Sequence, residues 1–154
     1  MIPFVPQNPL EHVLVAAVAE SDARATFYRL MLESFLYVID EGEAGGGATG
    51  HPILAEGTTL QIVNIEIGDI AYVPVFSSMP RLEAVIREPR RYVSLLGRDF
   101  FQIVRGSHVI LNFGSEYGKQ FVPSEIDAML DGTIEQAMKD SGPVTPRRRW
   151  FNLR

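Results

Sequence analysis

The sequence contains no cysteine in its 154 residues. A disulfide framework, a thiolate zinc site and a cysteine nucleophile are therefore excluded. Histidine is also scarce, because His12, His51 and His108 are the only three and have no HxH or HxxxH spacing that would place two imidazoles on one face. We therefore predict no metal site and no cofactor.

The chain also lacks a long apolar run and a recognisable targeting segment. No stretch approaches the length that spans a bilayer, and the first residues (MIPFVPQNPLEH) lack the basic and apolar regions of a secretion signal. Hydrophobic residues make up 46% and charged residues 21%, which is typical of a globular domain. We therefore expect a soluble cytoplasmic protein with no membrane partner.

Positive charge is scarce in most of the chain and concentrated at its end. Residues 141–154 contain four arginines and no acid, and removing these four charges from the net charge of −5 leaves −9 on residues 1–140. Because nucleic acids attract clustered Lys and Arg, we expect no nucleic-acid partner for the body. We predict one domain over residues 1–140, followed by a basic C-terminal tail over residues 141–154.

The apolar pattern predicts helices followed by strands. Asn8-Pro9-Leu10-Glu11 is typical of a helix start, with an N-cap Asn, a Pro at the first helical position and a Glu three residues after the cap. Ser21 or Asp22 is predicted to cap a second helix. Strands are predicted at 35–39, in a bulged segment ending at 67, at 70–76 and at 108–112, and further helices at 78–88, at 97–105 and after Pro123. This order favours an α+β fold with a mixed, mostly antiparallel sheet.

The segment 112–132 (NFGSEYGKQFVPSEIDAMLDG) begins like a phosphate-binding loop. Gly114 and Gly118 enclose three residues instead of four, however, and Gln120 follows Lys119 where a Ser or Thr is needed for magnesium. A proline also separates the glycines from the next helix, whereas a phosphate loop leads directly into one. We therefore interpret the segment as a strand end, a glycine turn and a proline-started helix.

Carboxylates and serines are the other groups that could carry chemistry. Asp40, Glu41 and Glu43 share a glycine-rich loop, and Glu125 and Asp127 share the last helix. Catalytic pairs need a fixed separation and different environments, so solvated surface charge is the favoured interpretation. The pair Ser77-Ser78 lacks a Gly-x-Ser-x-Gly elbow, and helix capping is favoured. Enzymatic activity is therefore not expected.

Two kinds of binding site remain open. The tail carries Arg147, Arg148, Arg149, the single tryptophan Trp150 and Phe151. Arginine and tryptophan are enriched at interface hot spots, so we predict that a protein partner contacts this tail and the acidic Asp40, Glu41 and Glu43. The tail either folds back on the acidic body or serves as a docking arm, and a homo-oligomer remains open.

The alternative is a binding site for a small molecule or anion near the Gly114–Lys119 turn. In this hypothesis, Arg98, Tyr117 and Lys119 converge on the ligand. Such a pocket would serve a binding protein or an enzyme.

Four segments together resemble the SseB N-terminal domain family. They are VPVFSS (73–78), LGRDFF (96–101), LNFGS (111–115) and PSEI (123–126). Members tend to have a proline where Phe113 stands and a threonine where Ser78 stands. The resemblance implies a compact α+β domain of bacterial origin and supplies no catalytic residues. Related domains occur near secretion and toxin systems, so it also suggests an immunity or secretion-associated accessory protein.

Overall fold

A computed structural model describes residues 4–40, 63–86, 91–134 and 150–152. In these ranges the helices are α1 (Pro9–Ala19), α2 (Arg24–Glu33), α3 (Met79–Glu83), α4 (Gly97–Ile103) and α5 (Pro123–Asp131), with a 3-10 turn at Ser21–Ala23. The strands are β1 (Phe35–Ile39), β2 (Ile65–Ile67), β3 (Ile70–Val75), β4 (Tyr92–Leu96), β5 (His108–Leu111), β6 (Tyr117–Phe121) and β7 (Trp150–Asn152). The predicted α+β class is confirmed.

The strands form a mixed sheet and a separate pair. The five-stranded sheet has the order β2-β3-β5-β6-β7, in which β3 and β5 are parallel and the other neighbours are antiparallel. Strands β1 and β4 form an antiparallel pair. A bridge between Tyr37 and Phe76 joins this pair to the end of β3. The prediction of a mixed, mostly antiparallel sheet is therefore also confirmed.

The start of α1 follows the predicted capping pattern. The Asn8 side-chain oxygen accepts a hydrogen bond from the Glu11 N–H at 2.9 Å, and Pro9 is the first helical residue. Leu10 and Leu14 on the apolar stripe are fully buried in the core. The predicted cap of the second helix was wrong, because a 3-10 turn intervenes and α2 begins after Ala23 without a side-chain cap.

Three strands were not predicted from the sequence: β4, β6 and, within the segment interpreted as a tail, β7. Strand β4 pairs along its whole length with β1, and β6 lies between the glycine turn and α5, where the sequence analysis expected no strand. The side chains of β6 include a lysine and a glutamine, so an alternation of apolar and polar residues does not mark it. Its burial depends on partners from distant parts of the chain.

Helices α2 and α4 approach each other closely at Gly97. The Gly97 N–H donates to the Ser34 carbonyl at 2.8 Å, and a β-carbon at Gly97 would lie 1.6 Å from the Met31 carbonyl oxygen. Only glycine fits this contact, which holds the first turn of α4 against the end of α2. Among the described residues, no helix has the length and apolar character needed to cross a bilayer.

Candidate functional site

Three segments that are distant in the sequence meet around the carboxylate of Glu11. They are the start of α1, the corner between β3 and α3, and the residue after β5. The side chains that join them are Asn8, Glu11, Ser77, Ser78, Arg81 and Asn112, and we call them the polar cluster. All except Asn8 are buried.

Glu11 is the acceptor at the centre of the polar cluster. Its Oε2 accepts hydrogen bonds from the hydroxyls of Ser77 at 2.5 Å and Ser78 at 2.7 Å, and its Oε1 forms an ion pair with Arg81 Nη2 at 3.0 Å. Burial alone would raise the pKa of Glu11, but the hydrogen bonds from Arg81, Ser77, Ser78 and the Gln7 N–H lower this pKa below its usual value of 4.5. The buried carboxylate is therefore ionised and fully partnered.

Asn112 and Asn8 hold the corner between β3 and α3 from both sides. Asn112 has a left-handed backbone with φ of 61°, which asparagine tolerates better than most residues. Its side-chain oxygen accepts from the Ser77 N–H at 3.0 Å, while the side-chain amide of Asn8 donates to the Ser77 carbonyl at 2.9 Å. Both backbone groups of Ser77 are therefore bound by side chains of the cluster.

The prediction that Ser77 or Ser78 caps the next helix is confirmed for the position of Ser78 and is wrong for its side chain. Ser78 is the N-cap residue of α3, but its side chain makes no capping bond, because its hydroxyl donates to Glu11. A serine beside a carboxylate could suggest a nucleophile, but Ser77 is 1% exposed and the strongly hydrogen-bonded Glu11 is a poor base. The polar cluster thus supports the fold and lacks access for a substrate.

The polar cluster also orders the N-terminal segment. The guanidinium of Arg81 donates to the Val5 carbonyl at 2.5 Å and lies 3.7 Å from the centre of the Phe4 ring. The Phe4 N–H donates to Glu116 at 3.2 Å. Two apolar side chains on the segments held in this way, Val5 and Phe113, are exposed.

The lowered pKa of Glu11 predicts a loss of stability in acid. Because this pKa is lower in the folded chain than in the unfolded chain, its stabilising effect is present above about pH 4.5 and is lost as the pH falls through the folded pKa. We expect the difference in unfolding free energy between the wild-type chain and Glu11→Gln to narrow as the pH falls from 7 to 3. Urea unfolding at a series of pH values measures this, and a difference that stays constant would contradict it.

The surroundings of Gly114 predict a larger loss of stability on substitution by alanine than the surroundings of Gly106 do. Gly114 has φ of 84°, and a β-carbon there would lie 2.5 Å from Val85 Cγ1, whereas Gly106 has φ of 91° and open space around it. Gly106→Ala should destabilise the chain by about 1 kcal/mol through backbone strain alone. Gly114→Ala should lose about 1 kcal/mol more, because Val85 must move. Denaturant unfolding compares the two, and equal losses would mean that the contact with Val85 relaxes freely.

A second buried charge lies on β6. The Lys119 side chain is 0% exposed, and its Nζ forms an ion pair with Glu125 Oε2 at 2.7 Å. The Tyr28 hydroxyl donates to the same oxygen at 2.5 Å. The ammonium lies 4.4 Å from the centre of the Trp150 ring and 4.8 Å from that of Phe121, within the range of cation–π attraction. We call Tyr28, Lys119, Phe121, Glu125 and Trp150 the lysine cage.

The position of Lys119 in the lysine cage does not match its role in the predicted anion pocket. The Lys119 ammonium faces Glu125 and aromatic rings in the interior, while Arg98 is exposed on α4. Tyr117 packs edge-on against Phe4, with ring centres 5.4 Å apart. The geometry gives no support to a pocket in which these three side chains share an anion.

The interpretation of the carboxylates as solvated charge was wrong for two residues. Asp40 is 5% exposed and lies 3.5 Å from an Arg91 nitrogen, because its backbone pairs with that residue at the end of the β1–β4 pair. Glu125 is buried in the lysine cage. Asp127 is a surface residue paired with Arg105, in agreement with the prediction. Glu41 and Glu43 lie outside the described residues.

Part of the predicted tail joins the sheet. Trp150 is 5% exposed, contacts the rings of Phe27 and Tyr28, and lies under the guanidinium of Arg24 at 5.0 Å. The backbone of Phe151 is opposite Gly118 in the β6–β7 pair. Trp150 therefore folds back on the body, and its ring is not available to a partner in this conformation. Arg147, Arg148 and Arg149 lie outside the described residues.

The surface of the described residues carries many unpaired acids. Arg81, Arg91, Arg105 and Lys119 are each bound to a carboxylate, so few cations remain to offset the exposed acids. Those that are exposed and form no ion pair within the described ranges are Glu20, Asp22, Glu33, Glu66, Asp69, Glu83 and Asp99. We call these seven residues the surface acids. Among the described arginines and lysines, only Arg29 and Arg98 are both exposed and outside an ion pair.

No group of three or more His, Asp or Glu side chains in the part of the chain that the structure describes could hold a metal ion. The described residues form an α+β domain with two buried ion-paired clusters and with more exposed acids than exposed Lys and Arg. In a comparison with known protein families, the sequence family described as "SseB protein N-terminal domain" matches residues 10–128. The chain therefore belongs to the SseB family, as its sequence segments suggested.

Two curated relatives extend the comparison. Protein SseB from Escherichia coli (strain K12) and Protein SseB from Shigella flexneri are each 29% identical to this chain over 125 residues. The match covers 80% of this chain and 46% of each relative, so the chain spans about half of their length. No solved structure matches the chain.

Proposed function

We propose that this domain binds a protein partner with a basic surface and does so without catalysing a reaction. The observation that carries the proposal is the set of surface acids, seven exposed carboxylates without an ion pair in the described ranges. An excess of one charge on a surface attracts a partner of opposite charge and accelerates their encounter. The buried cations are bound to internal carboxylates, so they do not weaken this field at contact range.

The end of α2 supplies the part of this surface that best fits an interface. Glu33 closes α2, Phe35 begins β1 with 60% of its surface exposed, and Asp99 lies in the first turn of α4. These segments are adjacent, because Phe35 is opposite Leu96 in the β1–β4 pair and Gly97 is bonded to Ser34. We call Glu33, Phe35 and Asp99 the acidic corner. An exposed aromatic ring on segments that also carry exposed carboxylates suits a basic partner that also offers an apolar contact.

The more specific form of the proposal is an immunity or secretion-associated accessory protein. An immunity protein that acts by binding covers its toxin, and an acidic binding surface suits a basic toxin. The acids Glu41 and Glu43 and the arginines 147–149 are further partner-binding residues in this proposal. These residues lie outside the described ranges. Their clustering as like charges in the sequence is the reason for proposing them as contact residues.

Affinity purification from the native host tests the proposal. The immobilised wild-type domain should retain a specific partner at low salt and release it as the ionic strength rises. The variant Glu33→Gln/Asp99→Asn should weaken binding of that partner at least tenfold. The matched control, Glu66→Gln/Asp69→Asn, removes two surface acids from the β2–β3 hairpin and should leave most of the binding intact.

The failure of the wild-type domain to retain any specific, salt-sensitive partner would reject the proposal. If a partner is retained but both double variants lose it equally, the acidic corner is not the contact site. The immunity form needs one more result: expression of the purified partner alone should inhibit growth, and co-expression of this domain should restore growth.

A further inference from the structure

Among the described strands, β7 pairs with β6 alone, and its other contacts are with helices α1 and α2. Its pairing with β6 places Tyr117 opposite Asn152, Gly118 opposite Phe151 and Lys119 opposite Trp150. It is the outer strand of the sheet and the last described element of the chain. Its departure would leave every other strand pair in place and would expose the edge of β6.

One side chain anchors this strand in a built pocket. The Trp150 ring lies 4.7 Å from the Phe27 ring and 6.0 Å from the Tyr28 ring, with the Lys119 ammonium 4.4 Å from its centre. Its buried Nε1 has no hydrogen-bond partner within the described residues. The pocket therefore recognises an aromatic face through cation–π and edge-to-face contacts.

A free sheet edge beside an aromatic pocket is the arrangement by which proteins add an extended segment as a new strand. Backbone hydrogen bonds give the affinity, and the pocket selects the side chain. The segment that fits the site best is the one already seated there, and every copy of the chain carries it. Exchange between two copies would reproduce each contact of β7 without any new interface.

The length of the connection allows this exchange. Fifteen residues separate Ile134 from Trp150. At about 3.3 Å for each residue they reach up to roughly 50 Å, more than the width of about 30 Å that is usual for a small domain. We propose that the edge of β6 and the pocket of the lysine cage form a strand-addition site, and that β7 of a second copy of this chain occupies it by exchange. The surface acids play no part in this contact, so it stands apart from the proposed function.

The absence of cysteine allows a direct test with the 154-residue chain. One chain carries Tyr117→Cys and another carries Asn152→Cys, at directly opposed positions of β6 and β7. The two are mixed at high protein concentration, because a tether of this kind gives the chain's own strand an effective concentration on the order of millimolar. In a glutathione redox buffer, we expect the mixed disulfide dimer to exceed either homodimer at least fivefold.

The matched control replaces Asn152→Cys with Asp69→Cys, an exposed position in the β2–β3 hairpin. This mixture should form disulfides only at the random proportion. A random proportion for the opposed pair too, with both variants folded as judged by circular dichroism and melting temperature, would overturn the proposal.

Tyr117 packs against Phe4, so its replacement could prevent folding. In that case, a second measurement tests the strand-addition site. Because Trp150 is the only tryptophan of the 154 residues, the Trp150→Ala variant of this chain has no tryptophan fluorescence, and a peptide of residues 146–154 (PRRRWFNLR) supplies the only signal. We expect a saturable blue shift of this signal as the indole enters the vacated pocket. A scrambled peptide of the same composition should show none, and equal signals for the two peptides, or no shift for either, would overturn the proposal.

Discussion

Replacing Glu11 with alanine is expected to lower the unfolding free energy by about 3–5 kcal/mol, because removal of one partner leaves a buried charge uncompensated. Arg81 is 9% exposed, and the partners of its guanidinium that remain among the described residues would be the Val5 carbonyl and the Phe4 ring. The hydroxyls of Ser77 and Ser78 would lose the acceptor that they share. Denaturant unfolding monitored by circular dichroism measures this loss.

Two further experiments test whether the loss of stability comes from the buried ion pair between Glu11 and Arg81. Glu66→Ala removes an exposed acid from β2 and should change the unfolding free energy by no more than about 0.5 kcal/mol. In a double-mutant cycle with Arg81→Ala, the second substitution should cost much less in the Glu11→Ala background than in the wild-type chain. A loss below about 1 kcal/mol for Glu11→Ala would show that water or rearranged side chains replace the carboxylate.

Local patterns predicted the elements whose causes are local. The cap of α1 depends on Asn8 and Pro9, which are neighbours in the sequence, and α5 ends at Gly132 with φ of 80°, where a glycine is the usual residue. The β2–β3 hairpin follows from Gly68 between two apolar segments. Each of these features depends on residues that are only a few positions apart in the sequence. The local sequence pattern is therefore sufficient to predict it.

The buried charges could not be predicted in this way. Lys119 and Glu125 are six residues apart, but the ring that covers them, Trp150, lies 25 residues beyond Glu125. Serine is a typical helix-capping residue. Only the folded structure shows that the Ser78 hydroxyl instead donates a hydrogen bond to Glu11, 67 residues away in the sequence. A charged residue predicts exposure on average, and burial with a partner is decided by tertiary contacts. This is why β6 was missed and why Asp40 and Glu125 were assigned to the surface.

The segments that identify the family report mainly on the fold. Asn112 and the serines of VPVFSS belong to the polar cluster, and Gly97 of LGRDFF belongs to the contact between α2 and α4. These residues are buried, and their contacts are with other parts of the fold, so they supply a scaffold and offer a partner little surface. The exposed residues of the acidic corner lie partly inside these segments, as Asp99 does, and partly outside them, as Glu33 and Phe35 do. If the proposed partner binds there, its specificity resides in these exposed side chains.

The lysine cage provides the second large effect. Lys119→Ala should lower the unfolding free energy by about 3–5 kcal/mol, since it leaves the Glu125 carboxylate buried without its cation. It also opens a cavity beneath Trp150 and Phe121, which adds to the loss. Chemical denaturation followed by the fluorescence of Trp150 reports on the same region, because this ring covers the cage.

A matched pair of variants tests whether the uncompensated charge is the cause. Lys119→Met keeps most of the side-chain volume and removes the charge, so it should remain strongly destabilised. The double variant Lys119→Met/Glu125→Gln has no buried charge, and the amide oxygen at position 125 still accepts from the Tyr28 hydroxyl. It should recover most of the lost stability, because replacement of a whole buried ion pair is often nearly neutral. A double variant as unstable as Lys119→Met alone would mean that the cage depends on the ammonium itself, through its attraction to the rings of Trp150 and Phe121.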